Sequence, residues 1–83
     1  MEDDLLIKRL GAGDDSALEE IFDRHGALVL GLARRVTGST VMAEDVAQEV
    51  FSCLWLRPDR FDAARGSLRA YLGTLAYRTA VDA

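Results

Sequence analysis

The stretch AEDVAQEVF, residues 43–51, decides the fold because its spacing is that of an amphipathic helix. At about 100° per residue, four polar side chains share roughly 100° of arc: Asp45, Gln48, Glu49 and Ser52. The apolar side chains gather on the far side of the same helix: Ala43, Val46, Ala47, Val50 and Leu54. We therefore expect one face to be buried and a carboxylate-rich face to be presented.

Two large aromatic residues, Phe51 and Trp55, lie between these faces. They are four residues apart, so they are neighbours on the helix surface and border the polar stripe. A partner could cover that border, but an ordinary solvated helix shows the same pattern. The helix alone leaves both interpretations open.

Hydrophobic periodicity predicts four helices and no strand, which makes the fold class all-α, a compact four-helix domain. The helices are expected at about residues 3–11, 16–37 and 41–56, with the last one starting near Ser67. Ser67 can cap the last helix with its hydroxyl, and the third helix ends before Pro58. The first helix is expected to bury Leu5, Leu6 and Leu10. The second has apolar residues three and four apart: Leu18, Ile21, Phe22, Leu28, Val29, Leu32 and Val36.

Composition indicates one small globular domain. The 83 residues are 49% hydrophobic and 29% charged, so they suit one core without room for an enclosed enzyme cavity. No apolar run reaches the roughly 18 residues of a membrane span, and we expect a cytoplasmic protein without membrane insertion. The lone cysteine, Cys53, is expected to be a small buried thiol.

Charge is distributed unevenly along the chain. The net charge is −4, made up of −6 over residues 1–23, zero over 24–56 and +2 over 57–83. A basic C-terminal part can hold phosphates even on an acidic domain, although charged surfaces often serve only solubility. Charge alone does not separate these two possibilities.

Motifs along nearly the whole chain, from about residue 4 to 82, resemble region 2 of bacterial RNA polymerase sigma factors of the extracytoplasmic-function (ECF) group. They are GDDSA at 13–17, ARRVTG at 33–38, AEDVAQEVF at 43–51, WLRPDRFD at 55–62 and RGSLRAYL at 65–72, followed by AVD at 80–82. In that group, a second helical domain reads the −35 promoter element. We expect residues 1–83 to be region 2 alone, with the region 4 domain absent from this chain.

The resemblance implies that the central helix docks on the clamp helices of the polymerase β′ subunit. Asp45, Gln48 and Glu49 match the family's contact positions, and we include Ser52 and Trp55 as polymerase-binding. Carboxylates suit this role because an arginine of a partner can pair with them through two hydrogen bonds.

The resemblance also implies that residues 58–66 form a loop that, with the following helix, captures a flipped base. That base belongs to the non-template strand of the −10 promoter element. Phe61 can stack on the base or anchor the loop to the core beside Leu68. The remaining DNA-binding expectations are phosphate contacts by Arg60, Arg65 and Arg69, backbone amides at Gly66 and Ser67, and promoter-facing side chains at Tyr71, Thr74 and Arg78.

Two of these residues depart from the family's usual pattern. Tyr71 stands where tryptophan is usual, and Arg78 replaces the commoner asparagine. An arginine at position 78 can contact a phosphate or read a different base than asparagine does. The base read at that position is therefore open.

The resulting prediction is a non-enzymatic domain that acts with core RNA polymerase and promoter DNA, is restrained by an anti-sigma factor and needs no cofactor. One alternative is a helical protein-interaction module without DNA binding. Another is a small hydrolase or redox protein built on Cys53 or His25, although no metal or triad partner accompanies His25. The Arg34–Arg35 pair can reach DNA or polymerase, or can offset the helix dipole.

Overall fold

The computed structural model describes residues 2–83, and these form α-helices joined by short turns and one longer segment. The α-helices are α1 (Glu2–Gly11), α2 (Asp15–Thr37), α3 (Thr40–Leu56) and α4 (Leu68–Asp82). The segment between α3 and α4 holds two single-turn 3₁₀ helices, Pro58–Arg60 and Ala63–Arg65. The all-α prediction is confirmed, but the chain has more helical segments than the four expected.

The expected open loop is helical in part because its sequence supplies turn-forming residues. Pro58 fixes φ at the start of the first 3₁₀ turn. The Asp62 carboxylate accepts a hydrogen bond from the Ala64 N–H at 3.0 Å and so caps the second turn. The segment between α3 and α4 therefore consists largely of two 3₁₀ turns and is not an open loop.

Side-chain caps fix where three of the α-helices begin. Asp14 accepts from the Ser16 N–H, Ser39 from the Met42 N–H and Ser67 from the Ala70 N–H. Gly38 ends α2 in the left-handed conformation, with φ of 69°, and donates its N–H to the Arg34 carbonyl. Because Gly38 and Ser39 are adjacent, α2 and α3 are joined by a very tight turn.

The core lies around α2, which packs against α1, α3 and α4. Its largest fully buried side chains are Ile21, Val29, Val50, Leu54, Leu68 and Leu72. The apolar side predicted for α3 is confirmed, since all five of its residues are buried: Ala43, Val46, Ala47, Val50 and Leu54. The carboxylate-bearing side of α3 is left outside.

Two burial predictions, those for Leu5 and Cys53, were wrong, and one apolar residue of α2, Phe22, is also exposed. Leu5 is 58% exposed, because α1 packs through Leu6 and Leu10, and Phe22 is 48% exposed beside a groove. Cys53 is exposed rather than buried, because it lies at the edge of the buried arc of α3, where no other element covers it. Burial at the edge of an amphipathic face depends on neighbouring elements and not on helical period alone.

The described residues have a radius of gyration of 12.1 Å, close to the roughly 12 Å expected of a compact chain of this length. Among them, no helix combines the length and the apolar character needed to cross a membrane.

Candidate functional site

A groove of about 850 Å³ runs between α2 and α3. Four of the five residues predicted to bind polymerase line it, namely Asp45, Gln48, Ser52 and Trp55. Its other lining residues include apolar side chains from both helices: Leu18, Phe22, Leu30, Ala47 and Phe51. The polar stripe of α3 is therefore one rim of a largely apolar groove.

Aromatic packing shapes the groove. The rings of Phe22 and Phe51 are 5.1 Å apart between centroids and tilted by 59°, within the range of favourable aromatic pairs. Phe51 is buried, whereas Phe22 and Trp55 keep 48% and 37% of their surface exposed. Large apolar surface is thus accessible beside the carboxylates. Trp55 contributes to it as expected, whereas Phe51 is buried and Phe22 supplies the second accessible ring.

Glu49, the fifth predicted residue, lies on the other flank of Asp45. It lines a small depression of about 250 Å³ with Met42, Val46 and Ala83, and Asp45 contributes to both concavities. Asp45 and Glu49 are both exposed. The carboxylate face therefore extends from the groove around α3 towards the end of α4.

Sequence reasoning missed the contribution of α2 to this groove. The sequence identifies Leu18 and Phe22 only as part of the apolar stripe of the second helix, and it leaves two roles open for Arg34. In the structure Arg34 lines the groove together with Asp45 and Glu44, so the groove carries both signs of charge. The i, i+4 spacing of Leu18 and Phe22 indicates that they share one face of α2. That this face lines a groove follows only from the packing of α2 against α3.

A second concavity, the loop cavity, of about 560 Å³, lies between residues 60–67 and α4. It brings together eight residues predicted to bind DNA: Arg60, Phe61, Arg65, Gly66, Ser67, Tyr71, Thr74 and Arg78. Arg69, the ninth, is exposed but does not line this cavity. Side chains up to 18 positions apart in the sequence thus surround one opening.

Phe61 and Tyr71 form the aromatic part of the loop cavity. Their ring centroids are 5.4 Å apart and the rings are tilted by 60°. Both residues are half-buried and pack against the hydrophobic core. Phe61 therefore serves as a loop anchor and also borders the cavity, so its two predicted roles are compatible.

Charges in the loop are partly paired. Arg57 donates two hydrogen bonds to Asp59, of 3.1 and 3.0 Å, and these lower the pKa of the Asp59 carboxyl below its usual range. Arg65 is 4.0 Å from Asp62, yet its side chain is 87% exposed. Exposed pairs of this kind contribute little energy. Arg65 can therefore exchange Asp62 for a phosphate at low cost.

The backbone entering α4 is shaped by Gly66 and Ser67. Gly66 has φ of 146°, a conformation that residues with a Cβ rarely adopt. Ser67 then begins α4 with its hydroxyl cap at 3.1 Å. A side chain at position 66 would strain the turn that closes one wall of the cavity.

His25 is a packed residue rather than a surface one. Only 6% of it is exposed, and its Nε2 lies 3.4 Å from Oδ2 of Asp3, which links α2 to α1. Within residues 2–83, no group of three or more histidine, cysteine or acidic side chains is arranged to hold a metal ion.

Comparison with known proteins gives consistent matches. The family described as Sigma-70 region 2 matches residues 21–83. A relative named ECF RNA polymerase sigma factor SigK from Mycobacterium bovis (strain BCG / Pasteur 1173P2) is 38% identical over 79 residues, covering 95% of this chain and 42% of the relative. No solved structure matches the chain.

Relatives of the same name from Mycobacterium ulcerans (strain Agy99) and Mycobacterium sp. (strain KMS) are 34% and 32% identical. These matches cover 96% and 95% of this chain, but only 44% and 41% of the relatives. The chain thus spans about two fifths of the length of the curated relatives it matches. Their names describe sigma factors and not enzymes, so the hydrolase and redox alternatives are set aside. The chain belongs to the sigma-70 region 2 family and is a region 2 domain of the ECF sigma factor group.

Proposed function

We propose that this domain docks on core RNA polymerase through α3 and captures an unpaired base of the −10 promoter element in the loop cavity. The observation that carries the proposal is that one opening gathers the Phe61–Tyr71 pair with Arg60, Arg65 and Arg78. Aromatic and basic side chains around one opening suit single-stranded nucleic acid.

The groove beside α3 supports the docking part of the proposal. Helix partners commonly lay an apolar face into a groove of this kind, and rim charges then fix orientation. The exposed surface of Phe22 and Trp55 supplies the apolar contact, and Asp45 and Glu49 can pair with arginines of the β′ clamp helices. Gln48 and Ser52 add hydrogen bonds on the same rim.

The loop cavity supports the DNA part. A base removed from the duplex loses stacking worth a few kcal/mol, and a protein that stacks the flipped base offsets part of that cost. Phe61 and Tyr71 supply the ring surface. The exposed arginines supply sequence-independent phosphate contacts, and Thr74 and Arg78 on α4 face the same opening and can read the base edge.

On this proposal the domain performs no chemistry, and it opens promoter DNA by stabilising the melted strand. It corresponds to region 2, acts in the cytoplasm with polymerase, and leaves the −35 element to a separate region 4 domain. The exposed docking face is also where an anti-sigma factor would compete with polymerase.

The test mixes the chain with core polymerase and a single-stranded oligonucleotide pool of randomised sequence, then sequences the DNA that the complex retains. We expect enrichment of one short motif, absent when core polymerase is used alone. A complex that forms but enriches no motif would leave the protein-interaction module as the better account. Failure to form a complex would reject the docking part.

A further inference from the structure

The acidic end of α1 lies against the back of the DNA-binding loop. A cavity of about 530 Å³ is lined by Asp3 and Asp4 of α1 and by the loop and α4 residues Ala63, Gly66, Ser67 and Leu68, with Arg24 of α2 beside them. Gly66 and Ser67 also line the loop cavity proposed to hold DNA. Two carboxylates therefore share a wall with the proposed phosphate contacts.

The position of these carboxylates is fixed by the fold. Leu6 and Leu10 are buried, and Asp3 is held beside the buried His25 ring at 3.4 Å. The α1 helix also contacts the 3₁₀ turn Pro58–Arg60 at the start of the loop. The α1 helix is thus packed against both α2 and the start of the loop.

Distance decides whether these charges matter for DNA. A cavity of this volume is on the order of 10 Å across, which is comparable with the Debye length of about 8 Å at physiological salt. Salt therefore weakens but does not remove the repulsion between these carboxylates and a phosphate at Gly66 or Ser67. The two acids outnumber the one arginine that lines the cavity.

We propose that Asp4, with Asp3, limits the affinity of the loop for the phosphodiester chain. The carboxylates repel phosphates of every sequence alike and leave base contacts at Phe61 untouched. They therefore weaken the sequence-independent part of binding, and base contacts make up a larger share of the affinity that remains. The inference rests on the proposed function, because it concerns the same DNA site.

The test uses Asp4, because Asp3 also contacts His25. In complex with core polymerase, the parent, Asp4→Asn and Asp4→Lys are titrated against a fluorescein-labelled single-stranded oligonucleotide of randomised sequence. We expect affinity to rise about twofold for Asp4→Asn and about fourfold for Asp4→Lys, because the second change in charge is twice the first. The gain should fade as salt is added.

Glu19→Lys is the matched control, since Glu19 is exposed on α2 and lines none of the cavities described above. A gain is informative, because misfolding weakens binding rather than strengthening it. Unchanged affinity in both Asp4 variants, or an equal gain in Glu19→Lys, would overturn the inference while leaving the proposed function intact. A parent complex that binds no oligonucleotide would instead reject the proposed DNA site and this inference with it.

Discussion

Phe61 is the residue on which base capture depends most. It contacts Tyr71 and the core, and it also lines the loop cavity. In Phe61→Ala we expect binding of single-stranded −10 element DNA to weaken by about 1–3 kcal/mol, the range for loss of one base–aromatic stack. Titration in complex with core polymerase measures this. The salt dependence should stay as in the parent, because no charge is lost.

Arg65→Ala is the contrasting variant in the same loop. The arginine is 87% exposed and only loosely paired with Asp62. Its loss should weaken all sequences to a similar degree and flatten the salt dependence by about one counterion. If both variants open a promoter as well as the parent in permanganate footprinting, the loop is not a base pocket.

Asp14 links folding to pH at the junction of α1 and α2. Hydrogen bonds from Ser16, and then from Arg9, lower the pKa of the Asp14 carboxyl below its ordinary value of 3.8. A carboxyl with a lowered pKa in the folded state stabilises the fold above 3.8, and this contribution disappears as pH falls through its folded value. Asp14→Asn should therefore lower the melting temperature at neutral pH and lower it less in acid.

Thermal melts at neutral pH and below pH 3.8 measure the difference. Asp15→Asn is the control, because it removes the same charge one position away from the carboxylate to which Ser16 and Arg9 donate hydrogen bonds. An equal deficit for Asp14→Asn at both pH values would contradict the assignment of a stabilising carboxylate.

At the scale of elements, α3 places one set of side chains in the core and leaves the other exposed. Leu54 is fully buried, whereas its neighbour Cys53 is exposed. Leu54→Ala should lower the free energy of unfolding by about 2–5 kcal/mol, the usual cost of removing a buried leucine side chain. Cys53→Ala should change it by less than about 0.5 kcal/mol, as surface substitutions do. Urea denaturation of both variants makes the comparison, and equal losses would mean that the burial assignment is wrong.

Burial of Leu54 could be predicted from the sequence, whereas exposure of Cys53 could not. The cap at Ser67 and the spacing of apolar residues predicted where the four α-helices begin, and where the first three end, to within one or two residues. The exposure of Cys53 could not be predicted, because it sits at the boundary of the apolar arc, where burial depends on whether another helix lies opposite. The 3₁₀ turn capped by Asp62 was missed for a different reason: a single turn has no periodicity to detect.

At the scale of the whole molecule, the candidate surfaces arise from contacts between distant segments. Helical periodicity predicted which α3 residues face outward, and the family resemblance implied which loop and α4 residues share a surface. It did not predict that α2 completes the groove, or that Asp3 and Asp4 approach Gly66 from some 60 positions away. The uneven charge along the chain is therefore partly offset in space, because Asp3 and Asp4 line the same cavity as Gly66 and Ser67 of the loop.

The most direct test of the account is the affinity of the intact chain for core RNA polymerase, measured for the parent and for the double variant Asp45→Lys, Glu49→Lys. Both residues are exposed, so circular dichroism and the melting temperature should stay close to the parent. We expect at least a 30-fold loss of affinity for the double variant, or about 2 kcal/mol, as for central interface residues. A charge-matched control, Glu19→Lys with Asp23→Lys, should bind as the parent does. Unchanged affinity in a folded Asp45→Lys, Glu49→Lys variant would contradict the account.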